Sequence, residues 1–141
     1  MEIQQGFKKN ERLKSKKSIE RLFEHNQHVF QYPIKAYFLH EPYEPDSRFA
    51  IGERDHHLPK IGLSVSKKKF KRAVDRNLVR RRLIEAYRTS NVAFKKICIE
   101  KSLALRIMFV YITQEQVELP QLQKSMEKVL KKVLEAELAK R

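Results

Sequence analysis

The residues best suited to chemistry form a basic run between Lys67 and Arg88. Ten of these 22 positions are lysine or arginine and only Asp75 and Glu85 are acidic, so the run carries a formal charge of +8 out of +14 for the chain. Both cations bind phosphate groups, and arginine can do so through two parallel hydrogen bonds. This concentration of positive charge indicates a polyanionic partner.

Three partners suit such a charge: nucleic acid, an anionic membrane surface or an acidic protein. A helix on a membrane surface sets basic residues against a broad apolar face with bulky aromatics, whereas this segment has a modest apolar face and the chain has no Trp. A solvated helix would usually interleave Glu with Lys in i, i+4 pairs, and this one does not. Nucleic acid is therefore the favoured partner.

The basic run must be positioned by a strand, a turn and a helix. The periodicity predicts a helix from Ala73 or Val74, with one apolar stripe for the core: Val79, Leu83, Ala86 and Tyr87. The strand before the turn spans 60–66 and alternates apolar residues with Gly62, Ser64 and Ser66. This small, polar face leaves room for a ligand backbone to approach, although an ordinary solvent-facing surface is the simpler alternative.

The remaining periodicities predict the other elements. Ser15 is a candidate N-cap for a helix to about His25, with Ile19, Leu22 and Phe23 as its stripe. Residues 29–40 read as extended, with Pro33 dividing the segment or marking an edge. Residues 103–113 read as a central strand that is apolar on both sides except at Arg106. Residues 91–101 continue the basic helix or form a second short one. Pro120 begins a final helix, whose apolar stripe is predicted to be Leu122, Met126, Val129, Leu130, Val133 and Leu134.

The predicted fold is α+β, a two-layer sandwich of one mainly antiparallel four-stranded sheet and three helices, in the order α-β-β-β-α-β-α. Residues 1–14 are predicted to be a flexible basic arm. Residues 15–141 are predicted to be a single RNA-binding α/β domain, with a long polar loop at 41–59 that holds a possible short strand at 49–51. Without an 18-residue apolar run or a secretory signal, the chain is expected to be cytoplasmic with no membrane partner.

Several kinds of site are excluded or disfavoured. Cys98 is the only cysteine, which excludes a disulfide framework and a cysteine-based zinc site. The motifs GxGxxG, GxxxxGK[ST], HExxH and GxSxG are absent. Asp55, His56 and His57 could suggest a metal site, but adjacent histidines point to different sides of an extended chain, and a solvated loop is favoured. No catalytic residue and no protein-bound metal are predicted.

The basic segment and its neighbours resemble the protein subunit of bacterial ribonuclease P. The strand GLSVSKK at 62–68 and the N-terminal Arg12-Leu13-Lys14 match that family's pattern, as does Phe23 at the end of the first helix. The arginine helix matches at Ala73, Val74, Arg76, Asn77, Arg80, Arg81, Ala86 and Tyr87. The resemblance covers residues 11 to about 135. This chain departs from the pattern at Leu78, where an arginine is expected, at Ile19, where many members have an aromatic, in the longer and more basic turn 69–72, and in the long loop 41–59.

The resemblance implies a fold with a left-handed β-α-β crossover, against the general handedness rule. It also implies an accessory, non-catalytic protein that binds a catalytic RNA subunit and precursor tRNA, as a monomer in a 1:1 ribonucleoprotein. Together they remove the 5′ leader by hydrolysis, with Mg²⁺ bound by the RNA. The alternatives are a structural, ribosome-associated RNA-binding protein and a protein-only nuclease using Asp55, His56 and His57.

The resemblance also implies two groups of binding residues. The cleft for the single-stranded leader would be lined by Ile19, Phe23, Tyr37, Ser64, Ser66 and Lys67. The catalytic RNA would be bound by Lys68, Lys71, Arg72, Arg76, Asn77, Arg80, Arg81 and Arg88. Phe23 and Tyr37 would stack on bases, and the lysine would pair with phosphate.

Overall fold

The structure, a computed structural model, describes residues 6–7, 11–41 and 58–140. The elements in chain order are α1 (Lys16–His25), β1 (His28–Gln31), β2 (Ile34–His40), β3 (Lys60–Ser64), α2 (Ala73–Ser90), α3 (Val92–Glu100), β4 (Leu105–Tyr111) and α4 (Leu119–Leu138). The α+β class and the four-stranded sheet are confirmed. Most of the predicted loop, including 49–51 and the Asp55-His56-His57 cluster, lies outside the described residues.

The four strands lie in the order β1-β2-β4-β3. β2 pairs antiparallel with both β1 and β4, whereas β3 runs parallel to β4. Parallel neighbours require a crossover connection, and here α2 and α3 supply it between β3 and β4. The sheet is thus mainly antiparallel, as predicted, and the apolar β4 is central. The left-handedness of the crossover stays a prediction.

The described part of the chain has four helices and not the three predicted, because residues 91–101 form a second short helix, which was one of the two alternatives left open for them. The basic helix stops at Ser90, and α3 begins at Val92 with Asn91 between them. Asn91 is fully buried, and its side-chain amide donates a hydrogen bond to the carbonyl of Gly6. This break allows Phe94 and Cys98 of α3 to enter the core.

Helices lie on both faces of the sheet. Alternate residues of β2, such as Ile34 and Phe38, join the main core with α2, α3 and α4. On the other face Leu22 of α1 packs with Leu13 and Met108, beside Tyr37. The two-layer prediction is therefore incomplete, since α1 forms a layer of its own over part of the second face.

The stripe predicted for the basic helix lies in the core. Val79, Leu83, Ala86 and Tyr87 are at most 1% exposed. Pro120 lies in the first turn of α4, whose predicted stripe also lies in the core: Leu122, Met126, Val129, Leu130, Val133 and Leu134. The 3.6-residue period therefore predicted which sides of α2 and α4 are buried.

The flexible arm predicted for residues 1–14 includes residues that belong to the folded domain. Leu13 is buried, and its N–H donates to the carbonyl of Ile61 at 2.9 Å. Glu11 forms a buried ion pair with Lys95 of α3. The segment from residue 11 therefore belongs to the domain, because it covers backbone groups that the edge strand β3 would leave unpaired.

Candidate nucleic-acid interface

A group of aromatic side chains surrounds Tyr37 on the sheet face that carries α1. The ring of Phe23 meets Tyr37 edge-on, with 4.9 Å between centroids and 63° between planes. The ring of His28 lies 5.3 Å away, and the Nζ atom of Lys35 lies 4.9 Å from the Tyr37 centroid. Phe23 is 43% exposed. The group therefore offers open aromatic surface and a cation at one place, which suits stacking of bases and pairing with phosphate.

Helix α1 places Phe23 at the edge of this group. Ser15 caps its N-terminus by accepting a hydrogen bond from the N–H of Ser18 at 3.3 Å, and Asn26 ends it in the left-handed region with φ 52°. Leu22 is fully buried, and Ile19 packs beside it and Tyr37. The next residue, Phe23, is thereby held at the rim of the α1 contact.

A polar network around Glu41 ties α1 to the sheet. Its carboxylate accepts a hydrogen bond from the hydroxyl of Ser18 at 3.0 Å and forms an ion pair with Arg21. It also pairs with Arg106 of β4, with 3.4 Å between Nε and Oε2. Burial and the neighbouring Arg106 lower the pKa of Lys60, which the charge of Glu41 partly opposes. One carboxylate therefore joins the helix that carries Phe23 to the central strand.

The sheet register brings Ser64 onto the same face as Tyr37. Ser64 and Lys35 both pair with Val110, one strand on each side of β4. Gly62 lies one row further along, opposite Met108 and Tyr37. A Cβ atom at Gly62 would lie 2.5 Å from Cε of Met108. Gly62 thus accommodates Met108, so the expected room for a ligand remains only at Ser64.

Ser66 and Lys67 lie in the turn after β3. Both are exposed. The hydroxyl of Ser66 accepts a hydrogen bond from the N–H of Lys69 at 3.3 Å, and its carbonyl accepts from the N–H of Phe70 at 3.1 Å. Phe70 is buried and fixes this turn on the core. The structure therefore groups Ile19, Phe23 and Tyr37 together, places Ser64 on the same sheet face two strands from Tyr37, and gives Ser66 a hydrogen bond within the turn.

The predicted RNA-binding residues of the turn and of α2 fall into two groups. Six of them are exposed to solvent: Lys68, Lys71, Arg72, Asn77, Arg80 and Arg81. Arg76 instead braces the turn, since one of its Nη atoms donates to the carbonyls of Phe70 and Lys71, each at 2.9 Å. Arg88 pairs with Glu85 through two hydrogen bonds of 2.6 and 3.0 Å, which lower the pKa of Glu85.

The N-terminus of α2 adds to the positive surface. Arg72 occupies the N-cap position, and no side chain caps this end with a hydrogen bond. The first backbone N–H groups of a helix have no partner within the helix and attract anions. Among the described residues, the basic turn 67–72 leads straight into this helix end. The turn and α2 therefore form one continuous cationic surface.

Three residues near Tyr37 were not among the predicted site residues: His28, Phe30 and Lys35. They belong to the β1–β2 hairpin, in which His28 pairs with Tyr37 and Phe30 pairs with Lys35. The alternation along β2 predicts the sheet face on which Lys35 lies, but the positions of His28 and Phe30 depend on the hairpin register. That register follows from the turn at Tyr32–Pro33, whose peptide bond is cis.

In the described ranges 6–7, 11–41 and 58–140, no group of three or more His, Cys, Asp or Glu residues is arranged to hold a metal ion. Within the same ranges, no helix has both the length and the apolar character needed to span a membrane. Cys98 is buried, which raises the pKa of its thiol to about 12.

Comparison with curated proteins gives two relatives, both named ribonuclease P protein component and both from strains of Porphyromonas gingivalis. Each is 27% identical to this chain over 125 residues, which cover 89% of this chain and 84% of the relative. The similarity therefore extends over nearly all of both proteins.

Solved structures with a similar fold include the ribonuclease P protein of Staphylococcus aureus. It superposes with a TM-score of 0.60 at 24% identity, over 87% of this chain and 94% of that one. A second S. aureus structure, described as a mutant with defective mRNA degradation activity, gives a TM-score of 0.61 at 25% identity, over 89% of each chain. Residues 7–134 of the sequence match the family described as Ribonuclease P. The chain therefore belongs to the ribonuclease P protein family.

Proposed function

We propose that the chain acts as the protein subunit of ribonuclease P in the maturation of tRNA 5′ ends. The observation that supports the proposal is that a member of this family has two different surfaces with the chemistry suited to RNA. One is the open aromatic group around Tyr37, and the other is the cationic surface of 67–72 and α2. An enzyme that removes a single-stranded leader from a folded RNA needs both kinds of contact.

The aromatic group is the proposed leader-binding site. Phe23 and Tyr37 present ring faces and edges to a base, and base–aromatic stacking contributes about 1–3 kcal/mol per base with little regard to sequence. Lys35 and Lys67 supply cations for the leader phosphates. Because its side chain is small, Ser64 lets the leader backbone approach the sheet closely.

The cationic surface is the proposed contact with the catalytic RNA. Asn77 and Arg81 project from the side of α2 opposite the buried stripe, and the exposed Arg80 lies on the flank between them and that stripe. Such contacts neutralise phosphates and release counterions, so binding should weaken steeply with salt. Arg76 supports this surface indirectly by bracing the turn, and Arg88 could reach RNA only by leaving Glu85.

The protein does not carry the chemical step in this proposal. The catalytic RNA holds the Mg²⁺ that activates the attacking water. The protein contributes affinity for the leader and electrostatic screening between two RNA molecules. It acts in the cytoplasm as one monomer for each catalytic RNA.

The alternative, a structural RNA-binding protein without a role in cleavage, explains the cationic surface equally well. It gives no reason for the exposed Phe23 ring at 4.9 Å from Tyr37. A structural role would be favoured if the protein bound the catalytic RNA without changing cleavage.

The test is a cleavage assay with precursor tRNA, the catalytic RNA and this protein, alone and together, at low Mg²⁺. The protein should stimulate cleavage by the RNA and should not cleave alone. The double variant Arg80→Ala/Arg81→Ala should lose the stimulation at moderate salt. Lys124→Ala/Lys128→Ala on α4 is the matched control, since it removes the same charge from exposed positions of another helix. No stimulation by the unmodified protein would contradict the proposal, and cleavage without RNA would favour a protein-only nuclease.

A further inference from the structure

Phe30 is an exposed aromatic residue on the edge strand β1. Its side chain is 46% exposed. Its neighbour Val29 packs against the main core, so Phe30 points to the opposite face, where α1 and Tyr37 lie. The contact between His28 and Tyr37 agrees with this direction, because His28 and Phe30 share a face of the strand.

The backbone that carries Phe30 is held from both sides. β1 pairs with β2 along one edge. From the other side, Nζ of Lys132 donates to the carbonyl of Phe30 at 2.7 Å, and the hydroxyl of Ser125 donates to the carbonyl of Tyr32 at 2.7 Å. Single exposed apolar residues are common on proteins and need no explanation. Phe30 differs from such residues because hydrogen bonds on both sides fix the backbone that carries its ring.

Phe30 also ends a row of residues that crosses the sheet beside the aromatic group. The row runs Ser64, Val110, Lys35, Phe30, with one residue from each strand. Four strands at about 4.8 Å spacing give a row about 14 Å long. Lys35 lies next to the ring across the strands and Lys132 lies at its backbone. In order across the sheet, the row therefore contains a small, an apolar, a cationic and an aromatic side chain.

We propose that Phe30 is a further stacking site for the single-stranded leader. This inference rests on the proposed function, since it extends the leader-binding site past Tyr37 to the edge of the sheet. β3 leads through the basic turn into α2, so the β3 end of the row lies nearest the proposed RNA contact, and β1 lies at the other edge. Phe30 therefore binds a leader nucleotide farther from the cleavage site than the nucleotides at Phe23 and Tyr37.

The test uses the assembled ribonucleoprotein and two precursor tRNAs, with leaders of about four and about twelve nucleotides, both within the range of about 4–16 nucleotides that comparable single-strand binding surfaces cover. Phe30→Leu keeps an apolar side chain but removes the ring. It should weaken binding of the long-leader precursor about 5- to 10-fold, as expected for one lost stack, and leave the short-leader precursor unchanged. Phe30→Trp should bind both precursors as tightly as the unmodified protein does.

Two comparisons make the outcome decisive. Tyr32→Leu is the matched control, because Tyr32 is another exposed aromatic of this hairpin whose hydroxyl is bonded to Glu115 at 3.0 Å. It should affect neither precursor. Phe23→Ala reports on the proposed function: if it weakens leader binding while Phe30→Leu does not, the Phe30 inference alone is refuted. If both variants bind both precursors normally, the inference and the leader-binding site both fail. Equal weakening of the two precursors by Phe30→Leu would also overturn the inference.

Discussion

Replacing Glu41 by Gln should loosen helix α1 and, through it, the proposed leader-binding site. The substitution keeps the shape of the side chain and removes its charge. The hydroxyl of Ser18 can still donate to the amide oxygen, so that hydrogen bond survives. The ion pairs with Arg21 and Arg106 are lost. Most of the lost stability comes from the pair with Arg106, because the Arg106 side chain is only 14% exposed whereas that of Arg21 is 47% exposed.

The expected loss of stability follows from these two exposures. Removing one partner of a fully buried ion pair costs about 3–5 kcal/mol. The Glu41–Arg106 pair is slightly open to solvent and its closest atoms lie 3.4 Å apart, so its loss should cost about 2–3 kcal/mol, at or just below the lower end of that range. The exposed pair with Arg21 adds less than about 1 kcal/mol. Glu41→Gln should therefore lower the free energy of unfolding by about 2–4 kcal/mol.

Two measurements check this account, with Glu24→Gln as the control because it removes the same charge from an exposed position of α1. Denaturant unfolding gives the stability, which should fall for Glu41→Gln and stay within about 0.5 kcal/mol for Glu24→Gln. The assembled enzyme should bind leader-bearing precursor more weakly and leaderless tRNA equally well, because Phe23 moves with α1. Equal stability of the two variants would refute the role of the network. Lower stability with unchanged leader affinity would refute the link from α1 to the leader.

Three other predictions follow from the site and the core. Phe23→Ala and Tyr37→Ala should each weaken binding of leader-bearing precursor by about 1–3 kcal/mol and spare leaderless tRNA; equal losses in a filter-binding assay would place the leader elsewhere. Leu78→Arg should tighten assembly with the catalytic RNA and steepen its salt dependence by about one counterion; weaker assembly would show that partly buried Leu78 is needed for packing. Burial raises the pKa of Cys98 from 9.0 to about 12. The unfolded chain then loses this proton before the folded one, so stability should fall as pH rises from about 9 towards 12. Thermal melts of Cys98→Ala should show a shallower fall, and an unchanged slope would contradict this. A slope should remain in that variant, because burial also raises the pKa of Tyr87.

Periodic elements were predictable because their packing is local in sequence. The stripe of α2 repeats at helical spacing, so its buried side follows from the residue types alone. β4 is apolar on both sides, which matches a strand covered on two faces. Phe23 falls at the edge of its stripe and Tyr37 falls on the second face of β2. Their contact therefore needed only the assumption that α1 packs on that face.

The features that the sequence did not predict depend on distant partners. Leu13 lies between two basic residues, and nothing in its local sequence indicates that it covers the edge of β3. The break at Asn91 has no Pro or Gly, and the distant carbonyl of Gly6 supports it. The position of Phe30 depends on the hairpin register. The pairing of Arg88 with Glu85, by contrast, could have been predicted, since the two residues lie three positions apart on one helix.

The central claim is that this protein gives a catalytic RNA its affinity for the tRNA leader. The most direct measurement is the ratio of dissociation constants for mature tRNA and for leader-bearing precursor, taken with the RNA alone and with the assembled enzyme at the same salt and Mg²⁺. Stacking on two rings predicts that the protein raises this ratio at least about 10-fold, and that Phe23→Ala/Tyr37→Ala removes most of this increase. An equal ratio with and without the protein would contradict the claim.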